Sequence, residues 1–207
     1  MFGDEYQGVP IFYARQEFDH ATRDRPFGTA DALCCASEFI DCPFVVCNGD
    51  DIYGENNFKT LVEHLKNNDE GATIGFRLFD MLPKKGTGNR GIFDVENDYV
   101  IGLKEVLGIE KSRISEIGLN KEDSCSMNIF ALPAETARLL KEELNKFMTE
   151  NSGDRTAECY LPAELSKLLK DGRLKMKIYP AVDMWFGVTC PEDEEVVRKE
   201  LEELSKN

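Results

Sequence analysis

Positive charge, histidine and long apolar runs are what this sequence has least of. Its 25 Lys and Arg face 39 Asp and Glu, a formal net charge of −14. A surface that acidic repels nucleic-acid backbone and anionic membranes, which excludes both as partners. It still leaves room for one nucleotide, because a local site can combine Mg2+ with a few basic groups. No apolar run approaches the roughly 20 residues that a membrane span needs; Phe44 to Cys47 is typical of those present. The first ten residues carry Asp4 and Glu5, with neither a basic start nor an apolar stretch, so they do not read as a signal peptide. The expected location is the cytoplasm.

The two histidines, His20 and His64, lie apart from any cysteine pair, and the seven cysteines form no C-x-x-C. That removes the spacing of a zinc site. The cysteines sit among apolar residues and read as reduced, buried thiols. Hydrophobic residues at 42 % and charged residues at 31 % are ordinary for a globular chain. The length of 207 residues suffices for one domain with a real core. Without repeat, low-complexity stretch or linker, a single domain over 1–207 is expected.

Strand-like and helix-like segments alternate. Val9 to Ala14 is a short apolar run. Thr29 can cap a helix through Phe39, with Asp31 in its first turn. Phe44 to Cys47 has the continuous apolar character of a strand covered on both faces. Phe58, Leu61, Val62 and Leu65 share one helix face. Ala72 to Phe79 reads as a strand and Lys84 to Arg90 as a loop. Gly91 to Val95 and Tyr99 to Glu105 read as paired strands around Glu96-Asn97-Asp98. Cys125 to Leu132 is a further strand. Ala137, Leu140, Leu144, Phe147 and Met148 form a helical stripe, and Leu161 to Leu169 a helix stopped by Asp171-Gly172. Leu174 to Tyr179 alternates as a strand does. Pro191, followed by Glu192, Asp193 and Glu194, opens a last helix with Val196, Val197, Leu201 and Leu204 on its apolar face. The pattern predicts an α/β architecture with a mostly parallel sheet, helices on both faces and an antiparallel insertion near Asn97.

In open α/β sheets ligands bind beyond the carboxyl ends of strands. Two such places stand out. Asn48-Gly49-Asp50-Asp51-Ile52-Tyr53-Gly54 puts two carboxylates directly after an apolar strand. A hard cation such as Mg2+ neutralises such a pair and leaves positions for phosphate oxygens and water; a solvated turn with a helix cap is the plainer reading. Arg25-Pro26-Phe27-Gly28-Thr29-Ala30-Asp31-Ala32 enters a helix, where Gly28 permits close backbone approach and free N–H groups await a partner. Gly-Thr before a helix is equally an ordinary start signal.

Gln16, then Gly28-Thr29-Ala30-Asp31-Ala32, then Phe44-Val45-Val46-Cys47-Asn48-Gly49-Asp50-Asp51, resemble the sugar-1-phosphate nucleotidylyltransferases (sugar-nucleotide pyrophosphorylases). The resemblance continues in order through Arg90 to Asp94, Ile101 to Glu105, Ser126 to Phe130, Glu158 to Pro162 and Trp185 to Thr189. It is strongest with a bacterial branch carrying the Met-Asn and Trp-Phe-Gly-Val-Thr signatures. It implies a three-layer, Rossmann-like nucleotide-diphospho-sugar transferase fold, with an NTP and a sugar 1-phosphate as partners and Mg2+ as cofactor. It implies that Gln16 and Gly28 read the nucleobase with Thr29 beside them, and that Asp50 holds Mg2+ against the reacting phosphates. Asp51 stands where relatives often carry Asn. Gly91, Glu105, Asn128 and Glu158 would line the sugar pocket.

Three departures qualify the resemblance. The family opens with a strand and a basic loop, Gly-x-Gly-(Thr/Ser)-Arg, that wraps the triphosphate; no such loop precedes Val9 to Gln16. Many relatives have an Asp two residues after the late Trp as a further Mg2+ ligand; here that residue is Gly187, and Asp183 is the nearby substitute. The Lys that often follows the sugar-pocket Glu is Val106. The implied reaction is in-line attack of the sugar phosphate oxygen on the α-phosphorus, with pyrophosphate leaving. Such transfer depends on positioning and charge neutralisation, so a chain without the loop is expected to be inactive while keeping base and sugar recognition. Strands left without the opening strand are expected to self-associate through their exposed edges. Two other readings compete. One is a non-catalytic nucleotide-sugar-binding module. The other is an A-type-fold glycosyltransferase, whose usual Asp-x-Asp is here an adjacent pair.

Overall fold

The computed structural model of the chain describes residues 3–187 and 197–198. In chain order the elements are β1 (Glu5–Tyr6), β2 (Val9–Pro10), α1 (Thr29–Cys35), β3 (Phe44–Val46), β4 (Asp51–Ile52), α2 (Glu55–Asn67), β5 (Gly71–Arg77), β6 (Thr87–Glu96), β7 (Tyr99–Glu110), β8 (Ser124–Ser126), β9 (Phe130–Leu132), α3 (Glu135–Glu150), α4 (Leu161–Lys170), β10 (Met176–Pro180) and β11 (Phe186–Gly187). The expected last helix lies outside the described residues except for Val197 and Arg198, which are helical. The chain divides into two compact units, Met1–Phe44 with Pro133–Leu174, and Val45–Leu132 with Lys175–Asn207.

The first unit is helical. α1 packs on α3 and α4, which also pack on each other. Their inward positions recur at helical spacing: Ala30, Leu33 and Cys34 on α1, Ala137, Leu140 and Leu144 on α3, Leu161, Leu165 and Leu168 on α4, all buried. Each fully buried Leu contributes about 1.5–3 kcal/mol by leaving water. Glu143, also buried, is held by Lys146 at 2.8 Å and Arg173 at 2.6 Å. The expected strand from Val9 to Ala14 is reduced to β2, which pairs with β1 in a two-residue ladder. Phe12 and Tyr13 beyond it stand exposed.

The second unit is built on a sheet with strand order β10-β7-β6-β8-β5-β9-β3. β10 also pairs with β5, so the ladders return on themselves through β5, β8, β6, β7 and β10. The core beneath contains Leu61, Ala72, Ile74, Phe76, Ile92, Cys125 and Ile129. α2 lies against β5 and β9. Its stripe is Phe58, Leu61 and Leu65, while Val62 stays exposed. Among the described residues no helix is long and apolar enough to cross a membrane.

The fold is α/β as expected, but the mostly parallel sheet is not found. β5–β10 is parallel, whereas β5–β8, β5–β9, β6–β7, β6–β8 and β7–β10 are antiparallel. The reason is local. A parallel neighbour needs a crossover of a dozen or more residues, usually helical. β6 and β7 are instead joined through Asn97 and Asp98, whose φ of 51° and 65° give a tight hairpin. That hairpin also draws Thr87 to Arg90, expected as loop, into strand β6.

Candidate functional site

The sequence-derived site residues fall into two groups, one in each unit. In the first unit, Gln16 and Gly28 meet directly. Gln16 Nε2 donates to the Gly28 carbonyl at 3.0 Å and to Asp31 Oδ2 at 2.6 Å. Gly28 has φ +89°, and a Cβ there would lie 2.9 Å from the Cys159 carbonyl oxygen. The close approach that glycine permits is therefore made to this chain's own backbone. Cys159 N–H donates to the Phe27 carbonyl at 2.7 Å, and Ala30 N–H to the Cys159 carbonyl at 3.0 Å. Thr29 Oγ1 accepts from Leu161 N–H at 2.9 Å and so caps α4 rather than α1.

Glu158 belongs to this same group. Its Oε2 accepts from Tyr160 Oη at 2.8 Å and Arg25 Nη1 at 3.2 Å. The tyrosine hydroxyl, with Arg25 beside it, holds the Glu158 carboxyl below the usual carboxylate range. Arg23, which the sequence did not single out, organises the segment. It is buried, donates to the carbonyls of Arg25, Asp154 and Ala157, and lies 3.4 Å over the Phe27 ring.

In the second unit, Gly91, Glu105 and Asn128 gather around β6. Gly91 pairs with Glu105 on β7 and with Ser126 on β8. A Cβ at Gly91 would touch Leu103, Glu105 Oε2 and the Ser126 side chain. Burial pushes the Glu105 carboxyl up, against a smaller pull from Arg90. The expected strand Cys125 to Leu132 is broken into β8 and β9 at Met127-Asn128-Ile129. Asn128 has φ +58°, a left-handed conformation that a non-glycine residue adopts at a cost. Its N–H donates to Ser126 Oγ at 3.1 Å.

Tyr53 links this group to the acidic loop. Its ring is buried in the core. Its hydroxyl lies 2.6 Å from the Met127 carbonyl oxygen and 3.0 Å from Asp51 Oδ2. Asn48 Nδ2 donates to the same Asp51 oxygen at 2.9 Å. Burial pushes the Tyr53 phenol far above its ordinary range, so it stays protonated. Asp50, next to it, is exposed.

β4 and β11 fasten this loop to the segment around Trp185, with Ile52 opposite Phe186 and Asp51 opposite Gly187. Asn57, fully buried, donates to the carbonyls of Tyr53 at 2.7 Å and Asp183 at 3.1 Å, and its Oδ1 accepts from Val182 N–H at 2.8 Å. Asp183 has both oxygens engaged: Oδ2 accepts from Asn56 N–H at 2.6 Å and Oδ1 from Asn56 Nδ2 at 2.9 Å. The Trp185 indole N–H is buried without a partner among the described residues.

A three-carboxylate Mg2+ set of Asp50, Asp51 and Asp183 does not fit this arrangement. Asp183 is spent on the first turn of α2, and no group of three or more His, Cys, Asp or Glu close enough to hold a metal occurs among the described residues. What remains is a smaller donor set, the exposed Asp50 and Oδ1 of Asp51. That suits an Mg2+ that arrives with phosphate oxygens and keeps several waters. One phosphate-loop-like string does occur, Gly86-Thr87-Gly88-Asn89-Arg90, with Asn at the Thr/Ser position. It enters strand β6 instead of preceding a helix, and Arg90 donates to the Met81 and Asn89 carbonyls.

No family model and no curated protein matches the chain. Solved structures do. One, assigned as a glucose-1-phosphate thymidylyltransferase from Bacillus anthracis in complex with sucrose, is 14 % identical with a TM-score of 0.57, over 91 % of this chain and 64 % of that one. A UTP-bound UGPase from Acinetobacter baumannii is 16 % identical with a TM-score of 0.56, over 86 % and 58 %. A UDP-glucose pyrophosphorylase from Acinetobacter baumannii is 13 % identical with a TM-score of 0.57, over 97 % and 68 %. This chain has their fold. It spans less than two thirds of the first two of them.

Proposed function

We propose that this chain carries the sugar-phosphate side of a nucleotidyl-transfer site, acting on an NTP and a sugar 1-phosphate to give an NDP-sugar and pyrophosphate in the cytoplasm. The observation that carries the reading is the gathering of Gly91, Glu105, Ser126 and Asn128 in one unit, joined by Tyr53 to the Asp50–Asp51 loop. In this reading Glu105 accepts from sugar hydroxyls, and Gly91, whose Cβ position is crowded by Leu103 and Glu105, keeps β6 close to that carboxylate. Asp50, with Oδ1 of Asp51, would take Mg2+. When bound, that ion offsets the charge building on the transferring phosphate. In the other unit, taken by itself, Gln16, Gly28 and Thr29 would meet the nucleobase, with half-buried Glu158 and exposed Arg25 as the polar pair beside them.

A second reading is a nucleotide-sugar-binding module without turnover. It is favoured by the place of the one Gly-x-Gly-x-Arg string in a strand, where no triphosphate loop forms. Loss of a single preorganised electrostatic contact costs about 10²- to 10³-fold in rate. The 207-residue chain by itself is therefore expected to bind but to turn over poorly.

Calorimetric titration with glucose 1-phosphate, UTP, dTTP and UDP-glucose, each with Mg2+, tests the reading alongside a pyrophosphate-release assay. Saturable binding of a sugar phosphate or NDP-sugar, weakened by Glu105→Gln, is the expected result. Absence of binding by all four compounds overturns it, and brisk pyrophosphate release overturns the argument about the loop.

A further inference from the structure

The hydroxyl of Tyr53 has one proton and two acceptors. A phenol donates a single hydrogen bond, so the bonds to Met127 O at 2.6 Å and Asp51 Oδ2 at 3.0 Å cannot both be made at once. The ring cannot swing to another partner. It is 1 % exposed and packs edge-on against Phe58, with centroids 6.0 Å apart. Asn48 N–H, 3.3 Å away, donates to the hydroxyl oxygen and so competes for its lone pairs rather than its proton. The freedom left to Tyr53 is the choice of acceptor.

Each acceptor belongs to a different part of the candidate site. Asp51 lies in the acidic loop, and Met127 begins the break that holds Asn128 at φ +58°. We propose that Tyr53 is a positioning residue that couples the Asp50–Asp51 loop to the Met127–Asn128 turn through the acceptor its hydroxyl proton chooses. The functional meaning rests on reading these two parts as the phosphate and sugar sides of one site. A ligand hydroxyl or water that donates to Asp51 Oδ2 competes for that acceptor. The proton then commits to Met127, and the strained turn beside the sugar side is pinned. Linkage makes the effect reciprocal: whatever pins the turn leaves Asp51 Oδ2 freer for a donating ligand.

A ligand-free double-mutant cycle tests the coupling in the 207-residue chain. Asp51→Ala, Tyr53→Phe and the double variant are compared by amide hydrogen exchange of peptides covering residues 126–129, with thermal unfolding as the fold control. Asp51→Ala is expected to slow exchange there by about twofold or more, the lower end of the coupling shown by contacting residues. In the Tyr53→Phe background the same substitution is expected to change nothing. Equal effects in both backgrounds overturn the proposal, because a merely structural tyrosine gives additive changes. If Tyr53→Phe fails to fold, the sign in Asp51→Ala alone decides: slowing supports the coupling, and unchanged or faster exchange refutes it. Failure of glucose 1-phosphate and UTP to bind would sink the nucleotidyl-transfer reading without altering what the cycle says about Tyr53.

Discussion

Asp183 caps a helix that begins 128 residues earlier in the sequence: its two oxygens take the N–H and the side-chain amide of Asn56, in the first turn of α2. Gly54, just ahead of that turn, has no room for a side chain, because a Cβ there would lie 2.2 Å from the Asp183 Cβ. A carboxylate at a helix N-terminus satisfies orphan donors and meets the positive end of the dipole. Asp183→Ala is expected to cost about 1 kcal/mol in urea unfolding, the usual worth of a cap. Titration with Mn2+ as a spectroscopic stand-in for Mg2+ should give the same affinity in Asp183→Ala as in the wild type, and a weaker one in Asp50→Asn. Loss of Mn2+ binding in Asp183→Ala with unchanged stability would return Asp183 to the metal site.

Gly28 is expected to resist every substitution. At φ +89° an L-residue is strained, and the added Cβ meets the Cys159 backbone. Gly28→Ala should therefore destabilise by more than about 1 kcal/mol. It should also loosen the Gln16 contact, which ends on the Gly28 carbonyl. Chemical denaturation reads the first effect, and exchange of the Gln16 side-chain amide by NMR reads the second. A variant as stable as the wild type would show that the 27–30 and 157–161 segments part easily.

Glu143 gives the helical unit a pH dependence of defined sign. Its carboxyl is held below the ordinary range, chiefly by the Lys146 hydrogen bond and then by Arg173. A depressed pKa in the folded state means that its stabilisation is present above the unfolded value of about 4.3. It is lost as pH falls through the folded value. Glu143→Gln should be less stable than the wild type at neutral pH, and the difference should shrink toward pH 3. Urea midpoints measured across that range check it; a difference that grows on acidification contradicts the ion-pair assignment.

β3 stands last in the strand order, so one of its edges lacks a strand partner among the described residues. Phe12, Tyr13 and Phe39 are exposed in the other unit, with Phe12 and Phe39 stacked at 5.0 Å. Open edges and exposed aromatic surface favour association. Light scattering after size exclusion is expected to show dimers or larger species that Val45→Lys on β3 reduces. A monomer near 23 kDa over a wide concentration range would remove the expectation.

Much of this fold was legible in the sequence wherever periodicity and turn residues agreed. α2, α3, α4, β5 and β10 fall within a few residues of their apolar patterns, and Asn97-Asp98 marks the hairpin. The direction of the strands was not legible, because alternation of strand and helix says nothing about which strand lies beside which. The break at Asn128 was hidden as well. Cys125 to Leu132 is apolar enough to be one strand, and only the tertiary pull of Tyr53 and Ser126 shows why it splits. Gly91, Glu105 and Asn128 could be named because they sit in recognisable strings. Tyr53, Asn57 and Arg23 could not. Each is a buried polar group whose partners lie 74, 126 and 134 residues away, and no local pattern records such distances.

The crowding at Gly187 has a consequence for mutational history. A side chain there would meet the Trp185 ring at 2.7 Å and Asp51 Oδ1 at 3.2 Å, and Trp185 is itself packed on the core. An acidic residue at this position, which many members of the resembling family carry, is therefore not one replacement away. Position 185 must shrink or turn first, and only afterwards does 187 accept an aspartate. The two changes form an ordered path in which the second is harmful without the first. A selection experiment seeking metal-dependent gain at this site should recover changes at 185 before any at 187.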